Sequence, residues 1–322
     1  MTAQQMTAAV IAAPGELRLE TLPLPKPGAG QVLVKLEGCG VCASNLPVWE
    51  GREWFTYPLP PGNPGHEGWG HVLQCGAGVN HVAVGDRVAF LSNQAYATHE
   101  VVATDALVTL PSALKGKPFP AEPLACAINI FARSQIISGD RVAIVGIGFL
   151  GALLTHLAAR AGAEVIAITR RESALQVARD FGASHTIPMH DHWEIISEVM
   201  ALTGDKGCNC VIEAVGKQWP LDLAGELTAT RGRLVVAGYH QDGPRQVNMQ
   251  LWNWRGIDVI NAHERDPKIY LSGMRSAVRA VASGDLDPMP LFTHTFPLAQ
   301  LDEAFAITQD RPDGFMKALI TL

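Results

Sequence analysis

Period-two alternation of apolar and polar residues marks the first part of the chain. Leu17-Arg18-Leu19-Glu20 alternates, and so does Val32 to Glu37, as half-buried strands do. Pro23, Pro25, Pro27, Gly28 and Gly30 place a loop between them. Gly68–Gln74 and Arg87–Leu91 read as further strands, split by the turn-rich Gly76–Gly85. Short strands at this spacing predict a β-rich, Greek-key or barrel-like domain. Beyond it, apolar strands alternate with helices. Val142–Val145 is a strand buried on both faces, and Leu153, Leu154, Leu157 and Ala158 trace a helix ending at Ala161-Gly162. Glu164–Ile168 is the next strand, and Ser173–Phe181 a helix stopped by Gly182. Cys210–Glu213 and Arg233–Ala237 read as strands, followed by Gly216 and Gly238. Asp266-Pro267 starts a helix in which Tyr270, Met274, Ala277, Val278 and Val281 form a core stripe, and Gly284 ends it. The tail carries a helix over Leu298–Ile307 and a strand over Phe315–Leu322. The whole predicts an α/β fold: a doubly wound parallel sheet plus a β-rich domain.

Composition narrows the class. A length of 322 residues suits two domains with separate cores. A hydrophobic share of 48% against 17% charged residues describes a globular protein, and the net charge of −6 offers no basic face to nucleic acid. Val142–Ala159 is almost uncharged, but its three glycines, His156 and its length argue against a membrane span, which needs about 20 apolar residues. The N-terminus lacks a signal pattern, and Cys39, Cys42, Cys75, Cys126, Cys208 and Cys210 make no dense disulfide framework. A reduced, cytoplasmic protein is expected. Cys208-Asn209-Cys210 has no partner pair and reads as structural.

The strand over Val142–Val145 runs into Gly146-Ile147-Gly148-Phe149-Leu150-Gly151, a G-x-G-x-x-G turn opening a helix. Gly146 permits the tight turn, Gly148 lets a pyrophosphate approach the backbone, and Gly151 lets helix and strand pack closely. Free N–H groups and the helix dipole favour the anion there. Strand, glycines, helix and second strand fall in order within about thirty residues, as a dinucleotide site requires. The second strand ends in Thr169-Arg170-Arg171, with Glu172 only afterwards. A carboxylate at this tip would bind a ribose 2′-hydroxyl; a hydroxyl and two guanidiniums suit a 2′-phosphate. NADP(H) is therefore expected in preference to NAD(H), the alternative being an arginine pair that caps the next helix. The loops at Gly216 and Gly238 lie at carboxyl ends of strands, where such sheets bind ligands.

Candidate metal chemistry lies in the β-rich part. Gly40-Val41-Cys42-Ala43-Ser44-Asn45 is followed by Gly65-His66-Glu67-Gly68, and Glu122-Pro123-Leu124-Ala125-Cys126 precedes an apolar helix. Thiolate, imidazole and carboxylate are preferred ligands of zinc. Taken singly, each has a structural reading: a buried thiol, a satisfied histidine, a carboxylate at a helix N-terminus. Cys126 reads as a core thiol and only a second choice as ligand.

With these segments in order along nearly the whole chain, the sequence resembles the medium-chain dehydrogenase/reductase family, the zinc alcohol dehydrogenases and their polyol-oxidising relatives. The resemblance implies a GroES-like catalytic domain over 1–130, completed by 286–322, and a Rossmann domain over 131–285. It implies Cys42 and His66 as catalytic zinc ligands, Glu67 as a carboxylate that binds zinc in some members, Glu122 as the ligand of the polyol branch, and Ser44 as the first hydroxyl of a proton relay. It also brings Lys317 near the cofactor, against the alternative of a solvated strand end, and implies a homodimer or homotetramer formed through sheet edges of the cofactor domain.

Four departures from the pattern stand out. Asn45 replaces the aspartate that usually orients the ligand histidine, so it raises imidazole basicity less. Pro47 sits where some members have the relay's terminal histidine. Phe90 to His99 lacks the four closely spaced cysteines of the structural zinc lobe, so one zinc is expected rather than two. The Thr169-Arg170-Arg171 tip lacks the acid of NAD-using polyol enzymes.

The expected reaction is hydride transfer between an alcohol or polyol, or the matching carbonyl compound, and NADP(H). Trp49, Trp54, Phe55, Tyr57 and Trp69 bracket the candidate site in sequence and either line a substrate pocket or fill the core. Trp252, Trp254 and His263 are further candidates. Two alternatives compete: a zinc-free quinone or activated-alkene reductase, against which the Cys42, His66 and Glu122 set argues, and a non-enzymatic nucleotide-binding protein that kept the fold.

Overall fold

The computed structural model describes residues 4–322. The chain divides into two compact units, one of residues up to Ala125 together with Pro267–Leu322, the other Cys126–Asp266.

The first unit opens with an antiparallel pair, β1 (Gln5–Ala13) and β2 (Glu16–Pro23). A larger sheet follows from β3 (Gln31–Gly40), β4 (Gly68–Cys75), β5 (Arg87–Phe90), β6 (His99–Ala103) and β7 (Leu107–Thr109), all antiparallel to their neighbours. The short helix α1 (Leu46–Glu50) sits between β3 and β4, with Pro47 in its first turn and Gly51 in the left-handed conformation at its end. The core gathers Val34, Leu36, Phe90, Tyr96, Phe305 and Ile320.

Helix α2 (Ala121–Ser134) carries the chain into the second unit. There β8 (Arg141–Val145), α3 (Phe149–Arg160), β9 (Glu164–Thr169), α4 (Glu172–Asp180), β10 (His185–Pro188), α5 (His192–Thr203), β11 (Cys208–Glu213), α6 (Gln218–Leu227), β12 (Thr228–Val236), α7 (Met249–Arg255) and β13 (Asp258–Asn261) alternate. The six strands are parallel, in the order β10-β9-β8-β11-β12-β13. This is the Rossmann order, and β8 lies at the switch point where successive crossovers reverse direction. Val142 to Val145 are fully buried, as a central parallel strand requires.

The chain then returns to the first unit through α8 (Pro267–Ser283), β14 (Phe292–Pro297), α9 (Leu301–Asp310) and β15 (Lys317–Thr321). Strand β15 pairs antiparallel with β3 and parallel with β14. The position of α8 corrects the expected boundary at 285. Its apolar stripe, Leu271, Met274, Ala277, Val278 and Val281, is buried, and the helix packs beside β7. The second unit therefore ends at Asp266.

Candidate metal centre and dinucleotide turn

The end of β3 and the start of β4 bring three donors together. Cys42 follows β3, His66 and Glu67 precede β4, and Cys39 and Gly68 are paired across the two strands. One ligand atom from each of Cys42, His66 and Glu67 lies within 4.8 Å of the others. A thiolate, an imidazole and a carboxylate at this separation can hold a zinc ion. The His66 ring is oriented for it: Nδ1 lies 2.9 Å from the Pro64 carbonyl oxygen, which can only accept, so Nδ1 carries a proton and Nε2 is the nitrogen left to serve as ligand.

Glu67 is fully buried. Lys317 Nζ lies 2.9 Å from Oε1 and 2.7 Å from Oε2, and it also donates to the Val41 carbonyl at 3.2 Å. Gly40 makes room for this pair, since a Cβ there would lie 1.8 Å from Glu67 Oε2. Lys317 was expected near the cofactor or at a solvated strand end. It is buried on β15 with its ammonium against Glu67, which corrects the second of these. Burial opposes its charge, but Glu67 and Cys42 outweigh that and raise its pKa.

Glu122 lies in the first turn of α2 rather than before the helix, and Tyr270 on α8 donates its hydroxyl to Oε1. Burial pushes this carboxyl up, reinforced by Glu67 and opposed by His66, Tyr270 and Lys317. At His66 burial disfavours the charged ring, but the hydrogen bond to Cys42 and the charges of Cys42, Glu122 and Glu67 lift it to about 10. Glu122 thus acts on the same histidine as the three-residue cluster. Cys126 is half-buried, one turn further along α2.

Ser44 is half-buried in a single 3₁₀ turn over Ala43–Asn45. Pro47 is buried in α1 and has no group that exchanges a proton. Asn45, 1% exposed, sends Nδ2 to the Pro64 carbonyl at 3.2 Å and accepts the Tyr96 hydroxyl on Oδ1 at 2.7 Å. Tyr96 escaped the sequence reading. Nothing in its own segment distinguishes it from a core aromatic, and it lies 51 positions from Asn45.

In the second unit the glycine turn divides into packing and open positions. Gly146 has φ +101°, and a Cβ would meet Val215 at 2.4 Å. At Gly151 a Cβ would lie 2.0 Å from the Gly146 carbonyl oxygen. At Gly148, the residue preceding α3, a Cβ would meet nothing within 4 Å. Packing within the chain therefore does not demand glycine at 148, whereas close approach of a pyrophosphate would. Phe149 and Leu150 open α3, whose N-terminus has no side-chain cap. Thr169 is buried, Arg170 is exposed, and Arg171 lays Nη2 3.5 Å from the Ile147 carbonyl, across the same turn.

Gly216 and Gly238 are held against each other: a Cβ on Gly238 would lie 2.2 Å from Gly216 N and 2.7 Å from Glu213 Oε2. The sequence reading missed the clasp around them. Glu213, fully buried at the end of β11, accepts from the Val215 and Gly216 amides on Oε1 and from His240 Nε2 on Oε2. Arg245 donates Nε to His240 Nδ1 and Nη2 to the Gly216 carbonyl. These bonds tie together the loops after β11 and β12.

Most of the candidate aromatics serve the core. Trp49 packs on Phe305 with ring centroids 5.2 Å apart, Phe55 and Tyr57 join the same cluster, and Trp69 is buried on β4. Trp252 packs against the core of the second unit, while Trp54 and Trp254 are exposed. His263 stacks on Tyr239 at 5.5 Å.

Comparison with known proteins agrees with both units. Residues 28–110 match the family described as alcohol dehydrogenase GroES-like domain, and residues 150–276 match that described as zinc-binding dehydrogenase. Sorbitol dehydrogenase of Gallus gallus is 28% identical over 95% of this chain and 94% of its own length. The solved structure of 2R,3R-butanediol dehydrogenase from Bacillus subtilis superposes with a TM-score of 0.85 at 24% identity, covering 98% of this chain and 99% of that one. Mycobacterial quinone oxidoreductase superposes with a TM-score of 0.82 at 23% identity, covering 98% and 100%. The quinone enzyme shares the fold, but the pair of matched families and the sorbitol dehydrogenases point one way: this chain is an oxidoreductase belonging to the zinc-binding, alcohol and polyol dehydrogenase type of the medium-chain dehydrogenase/reductase family.

Proposed function

We propose that the protein is a zinc-dependent dehydrogenase that moves hydride between an alcohol or polyol and NADP(H). The observation that carries this reading is the meeting of Cys42, His66 and Glu67 within 4.8 Å in a chain that also carries an open Gly148 turn. A zinc-free quinone or alkene reductase has no need of that donor set.

In this reading Cys42 and His66 hold the ion, with Glu122 or Glu67 as the carboxylate ligand. The hold of Lys317 on both Glu67 oxygens favours Glu122 in the resting state. Zinc supplies a Lewis acid that polarises the substrate oxygen, and the nicotinamide gives or takes the hydride. Ser44 takes the substrate hydroxyl proton. Because Pro47 cannot receive it, the proton leaves Ser44 through water or another group. Gly146, Gly148, Phe149, Leu150 and Gly151 seat the pyrophosphate, and Thr169, Arg170 and Arg171 receive the 2′-phosphate. Gly216 and Gly238 shape the loops at the carboxyl ends of β11 and β12. Assembly into a dimer or tetramer through sheet edges of the second unit belongs to the same reading.

The deciding experiment is metal content on protein never exposed to chelator, joined to a screen of polyols and their carbonyl counterparts with NADP(H). About one zinc per chain, lost in Cys42→Ala while NADPH still binds, is expected. A wild-type protein that turns over substrate without zinc, after attempted reloading, overturns the reading.

A further inference from the structure

A doubly wound sheet takes its ligand in the crevice outside the strand ends at the switch point, here between the loops that follow β8 and its neighbour β11. The two loops touch: a Cβ on Gly146 would lie 2.4 Å from Val215 Cγ2. Val215-Gly216 is thus the wall that faces the glycine turn. This wall is backed in turn by the loop after β12. A Cβ on Gly216 would lie 2.7 Å from the Tyr239 carbonyl oxygen, and one on Gly238 would lie 2.2 Å from Gly216 N. With backbone against backbone, the place of the second loop sets the place of the wall.

One buried side chain bonds both loops. Glu213 takes the Val215 and Gly216 amides on Oε1 at 2.7 and 2.8 Å, and His240 Nε2 on Oε2 at 3.0 Å. The other ring nitrogen, His240 Nδ1, lies 2.9 Å from Arg245 Nε. A guanidinium can only donate, so Nδ1 holds a lone pair, the proton sits on Nε2, and the ring is neutral. Arg245 also donates to the Gly216 carbonyl at 3.0 Å and to Asp242. The wall is therefore gripped at its amides by Glu213 and at its carbonyl by Arg245, with His240 joining the two. A second proton on the ring would set an N–H at Nδ1 against the N–H of Arg245, and the bridge would part.

We propose that His240 is a positioning residue for the dinucleotide crevice: as a neutral imidazole between Glu213 and Arg245 it holds the loop after β12 against Val215-Gly216, and its protonation loosens the cofactor. The inference rests on the dinucleotide reading above. Several charged groups bear on this ring. Glu213, at the end of β11, favours its protonation, and Arg245, on the same loop, opposes it. Lys217, before α6, and Asp242 pair with each other at 2.6 Å. His263, from the segment after β13, stacks on the adjacent Tyr239 with centroids 5.5 Å apart and titrates as well. Attraction to Glu213 does not rescue the bridge, because a charged ring still leaves Arg245 Nε without its acceptor.

The test compares chains that differ only at position 240. His240→Gln supplies an amide to donate to Glu213 and a carbonyl to accept from Arg245, and it does not titrate. NADP⁺ affinity is read by calorimetry at about pH 8 and about pH 5, the range in which imidazoles change charge. At the higher pH the two chains are expected to bind within about threefold of each other. On acidification the native chain should lose about tenfold more affinity than His240→Gln. His263 and the cofactor's own phosphates are common to both chains. His240→Ala leaves Glu213 Oε2 and Arg245 Nε unpartnered. It should bind about tenfold more weakly at the higher pH, with hydrogen-exchange protection of the Val215 and Gly216 amides in ligand-free protein reduced by about the same factor. Equal acid losses in the native chain and His240→Gln overturn the proposal, and so do native affinity and protection in His240→Ala. If His240→Ala does not fold, the native chain and His240→Gln decide alone. A native chain that binds no dinucleotide at either pH rejects the dinucleotide reading itself. Amide protection then still judges the clasp: loss in acid for the native chain but not for His240→Gln upholds it, and equal protection in both overturns it.

Discussion

Lys317 and Glu67, 250 positions apart in sequence, form a buried ion pair, with Nζ 2.7 Å from Oε2 and 2.9 Å from Oε1. The lysine is 5% exposed and the glutamate not at all, so neither charge has water to fall back on. Removing one partner leaves the other charged and buried, at a cost of about 3–5 kcal/mol. Lys317→Met is therefore expected to lose that much stability in urea unfolding of metal-free protein. Lys317→Met with Glu67→Gln should recover most of it, because no orphan charge remains. A single substitution as stable as the native chain would mean that the pair carries no such penalty.

The glycine turn separates folding from binding. Gly151→Ala forces a Cβ to 2.0 Å from the Gly146 carbonyl, so melting temperature should fall before any ligand is added. Gly148→Ala meets nothing within the chain, so its melting temperature should stay near native. Its NADPH affinity should nevertheless drop at least about tenfold, or 1.4 kcal/mol, in a fluorescence titration. Native-like affinity in Gly148→Ala would remove the pyrophosphate from that turn.

Cofactor choice turns on Arg170, exposed at the tip of β9. A guanidinium contributes to a 2′-phosphate a charge-assisted bond of about 1.5–3 kcal/mol, and nothing comparable to a 2′-hydroxyl. Arg170→Ala is expected to weaken NADPH about ten- to a hundredfold and to leave NADH within about twofold. Parallel titrations with the two nucleotides measure this. Equal weakening would assign Arg170 to the helix that follows.

Local features were legible in the residues. The strand, glycine turn and helix from Arg141 to Arg160 form one continuous segment, and the Cys42 and His66 motifs announce their donors through flanking glycines. Contacts made by folding were not legible. Lys317 read equally as a neighbour of the cofactor and as a strand-end cation, because its partner Glu67 arrives from the segment before β4, and the Pro267–Ser283 helix showed a core stripe without showing which core it fills. Tyr96 and Asn45, and His240 and Glu213, are joined only when separate loops close on one another. Periodicity reports which face of an element is buried, not against what.

Glu100 offers a pH test away from the metal cluster. It lies on β6 opposite Val34 of β3, is 6% exposed, and its Oε2 has no hydrogen-bond partner among the described residues. Burial raises its pKa to about 8, with Ser92 and the Gln94 backbone pulling the other way. Below the ordinary value of 4.5 both folded and unfolded chains hold this proton, so it contributes no pH dependence. As pH rises from there to about 8, the unfolded chain releases the proton and the folded chain keeps it. The folded state then binds more protons, and stability must fall with rising pH by up to about 1.4 kcal/mol per unit. The accumulated loss above the window is on the order of 5 kcal/mol. Urea unfolding of the native chain and Glu100→Gln across this range isolates the effect, since every other titrating group is common to both. The difference in stability between them should grow steadily in favour of the glutamine as pH rises. A difference independent of pH would mean that Glu100 is ionised in the folded protein throughout, with a partner for its charge.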